Sequence, residues 1–438
     1  MQFPDPVLGA IGAFGLLVVL LPLGVHIGVA LGLTGLLGLF LGAGSVAALG
    51  QLTFIPYAIT SQFVLAVIPL FILMGALATM AGVTTELYTA AQNWLSGVRG
   101  GVAMATTVGS AAFGAATGSS VVNSAVFSRI ALPEMVRLGY DKRLAAGCVA
   151  ASGTLAVMIP PSIAAVVFGL VTDQSIGKLL IAGFIPGVLS ASLYMAGIHI
   201  RARLNPSIAP LPPYRIMWGE RIRSLRGVWG ILFLFGLVMG GIYFGFFTPT
   251  GAGAIGAFGT LFLVVVRRRL NFRQLIDALK QTGTTTSTIF LIIVGGTIFA
   301  RFLTYTGIIG PIADTLVGLP VPPIVILLVY IVLFIILGMF IDAISIMVMV
   351  LPSMFPVLYG LGYDPIWIGI ITIKLGEIGA ITPPVGINAY VVRKASPIPL
   401  TLEDVFAGIY PFLILDLITL ALLVAVPSIS LVLPNAMS

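Results

Sequence analysis

The 438-residue chain is 59% hydrophobic and only 8% charged, with 21 Lys and Arg against 14 Asp and Glu for a net charge of +7. A soluble domain carries roughly 25% charged residues, so a soluble globular fold is excluded and the chain reads as an all-α polytopic membrane protein. A single cysteine, Cys148, excludes an intrachain disulfide and a thiolate metal cluster.

In chain order, the opening "MQFPDPVLGA" has no basic segment before its apolar run and no small-residue cleavage signal after it, so it reads as the start of a first span rather than a removed leader. Apolar runs near the roughly 20 residues that a membrane helix needs place spans at about 7–25, 27–44, 63–81, 141–171, 178–200, 227–247, 250–266, 284–303, 364–394 and 408–434. The amphipathic segments 84–97 and 267–281 read as interfacial arms that brace a scaffold. His26 and His199, near the ends of apolar runs, read as interfacial residues rather than ligands.

Basic residues gather at Arg99, from Arg137 to Arg143, through 201–226 (six Arg against one Glu220), at Arg267 to Arg269 with Arg273 and Lys280, and at Arg393-Lys394. The positive-inside rule places these groups in the cytoplasm. Ten spans satisfy it only if 99–137 and 322–358 each enter and leave on one face. They are therefore expected as re-entrant hairpins, the first opening to the cytoplasm and the second outward, with both chain termini outside. The positive charge is then topological: the partner it implies is the lipid bilayer and not nucleic acid.

Residues 133–161 and 356–384 align without a gap at an offset of 223, with eight identities in 29 positions: Pro133/Pro356, the tetrapeptide Leu-Gly-Tyr-Asp at 138–141 and 361–364, Gly153/Gly376, and the proline pairs 160–161 and 383–384. Further on, "AGFIPG" at 182–187 answers "AGIYPF" at 407–412. The chain is read as a first repeat over 1–200 (spans to 81, arm 84–97, hairpin 99–137, broken helix 141–171), a basic cytoplasmic linker over 201–226 with Pro206, Pro212 and Pro213, and a second repeat over 227–438 (arm 267–281, hairpin 322–358, broken helix 364–394). The charge pattern gives the repeats opposite orientations, an arrangement found in secondary transporters with the site at the repeat interface. The aspartates of "LGYD", Asp141 and Asp364, stand where helix N-caps belong, the latter followed by Pro365 at the first helical position.

Four segments interrupt helical runs: the hairpin tips "GAATGSSVVNS" (114–124) and "GMFIDAIS" (338–345), and the breaks "SGTLAVMIPPS" (152–162) and "GEIGAITPPVG" (376–386). Proline lacks an amide hydrogen, so carbonyls upstream of Pro160 and Pro383 lose their helical partners. Broken backbone persists at membrane depth only where it lines a cavity or binds something. Those carbonyls, the hydroxyls of Thr117, Ser119, Ser120, Thr154 and Thr382, and the carboxylate of Asp342 are hard oxygen donors suited to Na⁺. Half-helix N-termini facing the same space suit a carboxylate. Such stretches also permit close helix packing, but four of them in repeat-related pairs favour a site. Of the buried ionisable residues, Asp342 at a hairpin tip reads as functional. Glu377 and Lys374, three apart, either pair with each other or belong to the site. Asp416 reads as a scaffold partner, and Arg129 either attracts an anion or points to the cytoplasmic mouth.

"AATGSSVVNSAVFSRIALPEM", "ASGTLAVMIPPS", "AGFIPG" and "GEIGAITPPVGIN" together resemble the large membrane subunit of tripartite ATP-independent periplasmic (TRAP) transporters, the DctM type, over essentially the whole chain. The resemblance implies a Na⁺-coupled elevator-type importer of a small organic acid in a bacterial or archaeal cytoplasmic membrane. Its partners would be a small four-helix DctQ-type membrane subunit and a periplasmic DctP-type solute-binding protein. It would use no cofactor beyond the coupling ion. By the residue chemistry and the resemblance together, substrate falls to Ser119, Ser120, Asn123, Ser162, Asp342 and Thr382. Na⁺ falls to Thr117, Gly118, Ser119, Gly153, Thr154, Pro160, Gly338, Asp342, Gly376, Thr382, Pro383 and Gly386. The chain departs from the family where many relatives carry Asn and this sequence reads Leu375-Gly376. The alternative is a stand-alone proton-coupled antiporter or exporter on the same scaffold, with Asp342 and Glu377 carrying protons. An enzyme is disfavoured, since the sequence offers no nucleophile-base pair.

Overall fold

The computed structural model describes residues 6–212, 216–307 and 309–437; the reading of residues 1–5 as the start of a span, and Pro213 of the linker, lie outside them. The first half builds α1 (Pro6–Leu20), α2 (Ile27–Ala43), α3 (Ser45–Thr60), α4 (Val67–Met80), α5 (Val83–Leu95), α6 (Gly101–Thr117), α7 (Ser120–Arg137), α8 (Lys142–Met158), α9 (Ile163–Thr172), α10 (Ile176–Ala182) and α11 (Phe184–Leu204). The second builds α12 (Trp218–Tyr243), α13 (Pro249–Val266), α14 (Phe272–Thr306), α15 (Ile309–Val317), α16 (Pro323–Gly338), α17 (Ala343–Gly360), α18 (Pro365–Ile381), α19 (Ile387–Ala395), α20 (Leu402–Ala425) and α21 (Ser428–Asn435). No strand occurs among the described residues. Among the described residues, seven helices are long and apolar enough to cross a membrane, or eight if α8 and α9, bent by 46° at their junction, count as one span.

The offset of 223 read from the sequence also carries the element bounds. It lays α7 on α17 and α8 on α18 end for end, α9 on α19 and α2 on α13 within one residue, and α6 on α16 within two. It also sets α3 on the first turns of α14, and α5 on α15. The two amphipathic segments are therefore not repeat mates. The second does not stand apart either. Asn271 caps α14 by accepting from the amides of Arg273 (3.0 Å) and Gln274 (3.4 Å), and no proline separates residue 281 from 284, so the helix runs on for 35 residues. The last expected span, 408–434, is divided where α20 ends before Pro427.

Local chemistry sets the reversals. Gly118 takes a left-handed conformation (φ +59°) that closes α6, and Ser119 opens α7 by accepting from the amide of Val122 at 3.4 Å. Two residues thus suffice to turn the first hairpin. The "LGYD" aspartates are caps. Asp141 Oδ1 accepts from the amides of Arg143 (2.9 Å) and Leu144 (3.0 Å), and Asp364 Oδ1 from those of Ile366 (2.8 Å) and Trp367 (3.0 Å).

Between helices, small residues decide how closely backbones approach. α8 crosses α20 at Gly147 and Gly408, where a Cβ on either would collide with the other helix's backbone. α2 crosses α14 at Gly28 and Gly35, where an added Cβ would stand 2.7 Å from the carbonyl carbon of Leu291 and 2.8 Å from Cα of Phe299. We expect Gly408→Val to force α8 and α20 apart at a cost of about 1–3 kcal/mol. In detergent it should lower the thermal unfolding midpoint by several degrees, whereas Gly236→Ala, where an added Cβ meets nothing within 4 Å, should leave it unchanged.

Candidate functional site

Each hairpin tip lies against the break of its own repeat. At break 1 (159–162) the Pro160-Pro161 bond is cis, and Ser162 caps α9 by accepting from the amide of Ala165 at 3.2 Å. A Cβ on Gly118 at the tip would come within 2.5 Å of the Pro161 carbonyl oxygen. At break 2 (382–386) the Pro383-Pro384 bond is likewise cis, and the amide of Gly386 donates to the tip carbonyl of Met339 at 3.3 Å. Tip 2 packs through Gly338 on Gly379, and Gly376 receives Ala343 with room for no Cβ (2.5 Å). In the first repeat the corresponding Gly153 leaves space for Ser124. Ser119 and Asp342, also 223 apart, cap α7 and α17: Asp342 Oδ1 accepts from the amide of Ser345 at 3.1 Å and Oδ2 from its hydroxyl.

A cavity of about 350 Å³ lies between the two tips and the helices that flank the two breaks. The tips contribute Gly118, Ser119, Ser120, Asp342 and Ala343; the helices flanking the breaks contribute Val157 of α8, Ile163 of α9, Glu377 and Ala380 of α18 and Asn388 of α19; α14 closes it with Thr285 and Thr288, beside His26. Val157 and Ala380 are again repeat mates. Pro161 and Pro384, four residues on, have no amide hydrogen to give their carbonyls. A second cavity of about 590 Å³, lined by Thr117, Arg129, Gln274 and Asp277, shares Ser119, Val122, Ile163 and Thr285 with the first and so adjoins it on the side of the first hairpin. A third cavity, of about 660 Å³, lies between the α9–α10 connection, α14 and α17, away from both tips.

Four expected site residues, Gly118, Ser119, Ser120 and Asp342, thus line the central cavity, and Thr117 the adjoining one. Gly153, Thr154, Pro160, Ser162, Gly338, Gly376, Thr382, Pro383 and Gly386 form the tip and break contacts behind them. The hydroxyls of Thr154 and Thr382 donate to the carbonyls of Ala151 and Ile378, both at 2.6 Å, which leaves their lone pairs available. Asn123 is buried, its Nδ2 donating to the Ser110 carbonyl (2.8 Å) and hydroxyl (3.0 Å).

Lys374 does not neutralise Glu377. Both are on α18, but the Lys374 ammonium donates to Asp416 Oδ1 of α20 at 2.5 Å and to Ser190 Oγ of α11 at 3.3 Å, with Lys374 1% and Asp416 0% exposed. Glu377 Oε1 instead accepts from the Ser120 hydroxyl at 3.3 Å, a bond from the first repeat to the second. Sequence reasoning assigned no role to Asn388, Thr285 or Thr288. The hydroxyl run "TTTST" at 284–288 in an apolar span was the available signal. His26, read as interfacial, lines the cavity and caps α2, its Nδ1 accepting from the amide of Gly28 at 3.3 Å. That bond leaves Nε2 as the ring nitrogen free to donate.

Removing one member of the Lys374–Asp416 pair strands a buried charge. Asp416→Asn should cost about 3–5 kcal/mol, and Lys374→Met with Asp416→Leu should restore much of it. Thermal unfolding of the three purified proteins measures this, and equal loss in the single and double variants would contradict the pairing.

The profile of the family described as "Tripartite ATP-independent periplasmic transporter, DctM component" matches residues 14–429. The C4-dicarboxylate TRAP transporter large permease protein DctM of Pseudomonas aeruginosa is 36% identical over 378 residues, 86% of this chain and 87% of that one. The sialic acid TRAP transporter large permease protein SiaM of Vibrio cholerae is 30% identical over 376 residues, 85% of this chain and 87% of that one. Among solved structures, the Alcanivorax borkumensis YdaH transporter is similar in fold, with a TM-score of 0.59 at 16% identity over 89% of both chains.

Proposed function

The chain belongs to the tripartite ATP-independent periplasmic transporter family as a DctM component, a transporter permease rather than an enzyme, and from that premise we propose that it imports a small organic acid together with Na⁺. The observation that carries this reading is the cavity of about 350 Å³ walled by both hairpin tips and by the helices that flank both Pro-Pro breaks. It brings together the donor types that two opposite charges require. Carbonyls relieved of their helical partners and the hydroxyls of Ser119 and Ser120 suit Na⁺. The N-termini of α7, α9, α17 and α19 converge on the tips and breaks and suit a carboxylate. The relatives' names, a C4-dicarboxylate permease and a sialic acid permease, support an organic acid as cargo.

In this reading the hairpins and broken helices move as one body against α14 and the other scaffold helices, carrying the site across the membrane. The make-up of the cavity wall supports it, since α14 and His26 contribute to it together with the tips and the helices that flank the breaks. A small DctQ-type membrane subunit and a periplasmic DctP-type solute-binding protein complete the system, in a bacterial or archaeal cytoplasmic membrane with both termini on the periplasmic face. The family's tripartite description supports both partners.

Reconstituted in liposomes with those partners, the protein is expected to accumulate solute under an inward Na⁺ gradient. Uptake that is unchanged when choline replaces Na⁺ would falsify the coupling. Thr382→Val keeps the side-chain shape and removes one oxygen. It should raise the Na⁺ concentration for half-maximal uptake on the order of tenfold if the hydroxyl is a ligand, the equivalent of about 1.4 kcal/mol. An unchanged Na⁺ dependence would leave Thr382 only its bond to the Ile378 carbonyl.

A further inference from the structure

We infer that Glu377 and Asn388 form a cation subsite in the wall of the central cavity, and that a cation seated there is what admits an organic anion. The inference rests on the reading of that cavity as the transport site. Its starting point is charge. Two carboxylates, Asp342 and Glu377, line the cavity, and no Lys or Arg does so among the described residues; His26 is the one basic side chain. Asp342 is engaged by the amide and hydroxyl of Ser345. Lys374, the cation nearest in sequence to Glu377, is held by Asp416. An anionic solute entering this space unaccompanied would meet two carboxylates and no Lys or Arg, with only the partial charges of helix N-termini in its favour.

Two buried groups there lack partners. Glu377 is 3% exposed, and its Oε2 has no hydrogen-bond partner among the described residues. Asn388 is 0% exposed, and neither its Oδ1 nor its Nδ2 has one. A buried carboxylate oxygen and a buried carboxamide without partners are costly to maintain, and both belong to the same cavity wall. Ala380, between them in that wall, carries a carbonyl to which Pro384 can donate nothing. With the Ser120 hydroxyl, which already reaches Glu377 Oε1 at 3.3 Å, the donors are a carboxylate, a carboxamide, a carbonyl and a hydroxyl oxygen. All are hard, and together they suit Na⁺. The Asn388 amide hydrogens remain to meet a solute carboxylate. Glu377 thus supplies the negative charge that draws the ion in, and Asn388 faces both ion and solute.

The test needs no knowledge of the solute. Binding of ²²Na⁺ to the purified full-length chain is measured by scintillation proximity with no organic solute present, so that a signal reports the metal ion and not the ammonium group of a cargo molecule. Glu377→Gln, which retains an acceptor for Ser120, should raise the half-saturating Na⁺ concentration at least about tenfold, and Asn388→Leu should raise it in the same direction. Glu377→Asp, which keeps the charge, should shift it less than Gln does and serves if the Gln variant fails to fold. Unfolding midpoints in Na⁺-free buffer verify that the variants compared are folded. Wild-type affinity and stoichiometry in folded Glu377 and Asn388 variants would overturn the subsite alone. A wild-type chain that binds no Na⁺ would overturn Na⁺ coupling itself, and the subsite with it.

Discussion

A backbone carbonyl in hydrocarbon must be paired, because each one left without a partner costs several kcal/mol. The prolines at 160, 161, 383 and 384 withdraw four amide hydrogens, and the carbonyls of Ala156, Val157, Gly379 and Ala380 lose their helical donors. One is recovered locally, since the amide of Thr382 donates to the Gly379 carbonyl at 3.0 Å. The hairpin tips meet the breaks from outside, as in the bond from the Gly386 amide to the Met339 carbonyl. Val157 and Ala380 instead line the cavity, so two of the residues whose carbonyls the helices cannot satisfy border open space. The same constraint makes a broken helix without its hairpin untenable, and it accounts for the two occurring together in both halves.

The tips can reach the breaks only if side chains do not intervene. Glycine at 118, 153, 338, 376 and 379 marks those contacts, and an added Cβ at each would come too close to its neighbour. Between α8, which leads into the first break, and α20, Gly147 and Gly408 likewise allow close approach. Lys374, Asp416 and Ser190 match one another across three helices. Glu377 and Asn388, on the cavity side, have unmatched atoms. The ion pair thus lies away from the cavity and the carboxylate of Glu377 on it, although Lys374 and Glu377 stand three residues apart on one helix.

Much of this was legible in the chain itself. Hydropathy and charge determined an all-helical membrane fold, because a bilayer admits few other structures and because basic residues resist translocation. The repeat was readable from eight identities at one offset, and the caps at Asp141 and Asp364 and the left-handed Gly118 follow from local chemistry that the sequence states directly. What the sequence could not decide was which side chains meet across distant helices. It set Lys374 beside Glu377, whereas the fold turned the ammonium toward α20. It named residues behind the cavity as readily as those lining it, because a tip or break is a local property while a cavity wall depends on the packing of both repeats against α14. Asn388, Thr285 and His26 entered the site for that reason alone: side chains far apart in sequence converge only when helix packing fixes where each one points.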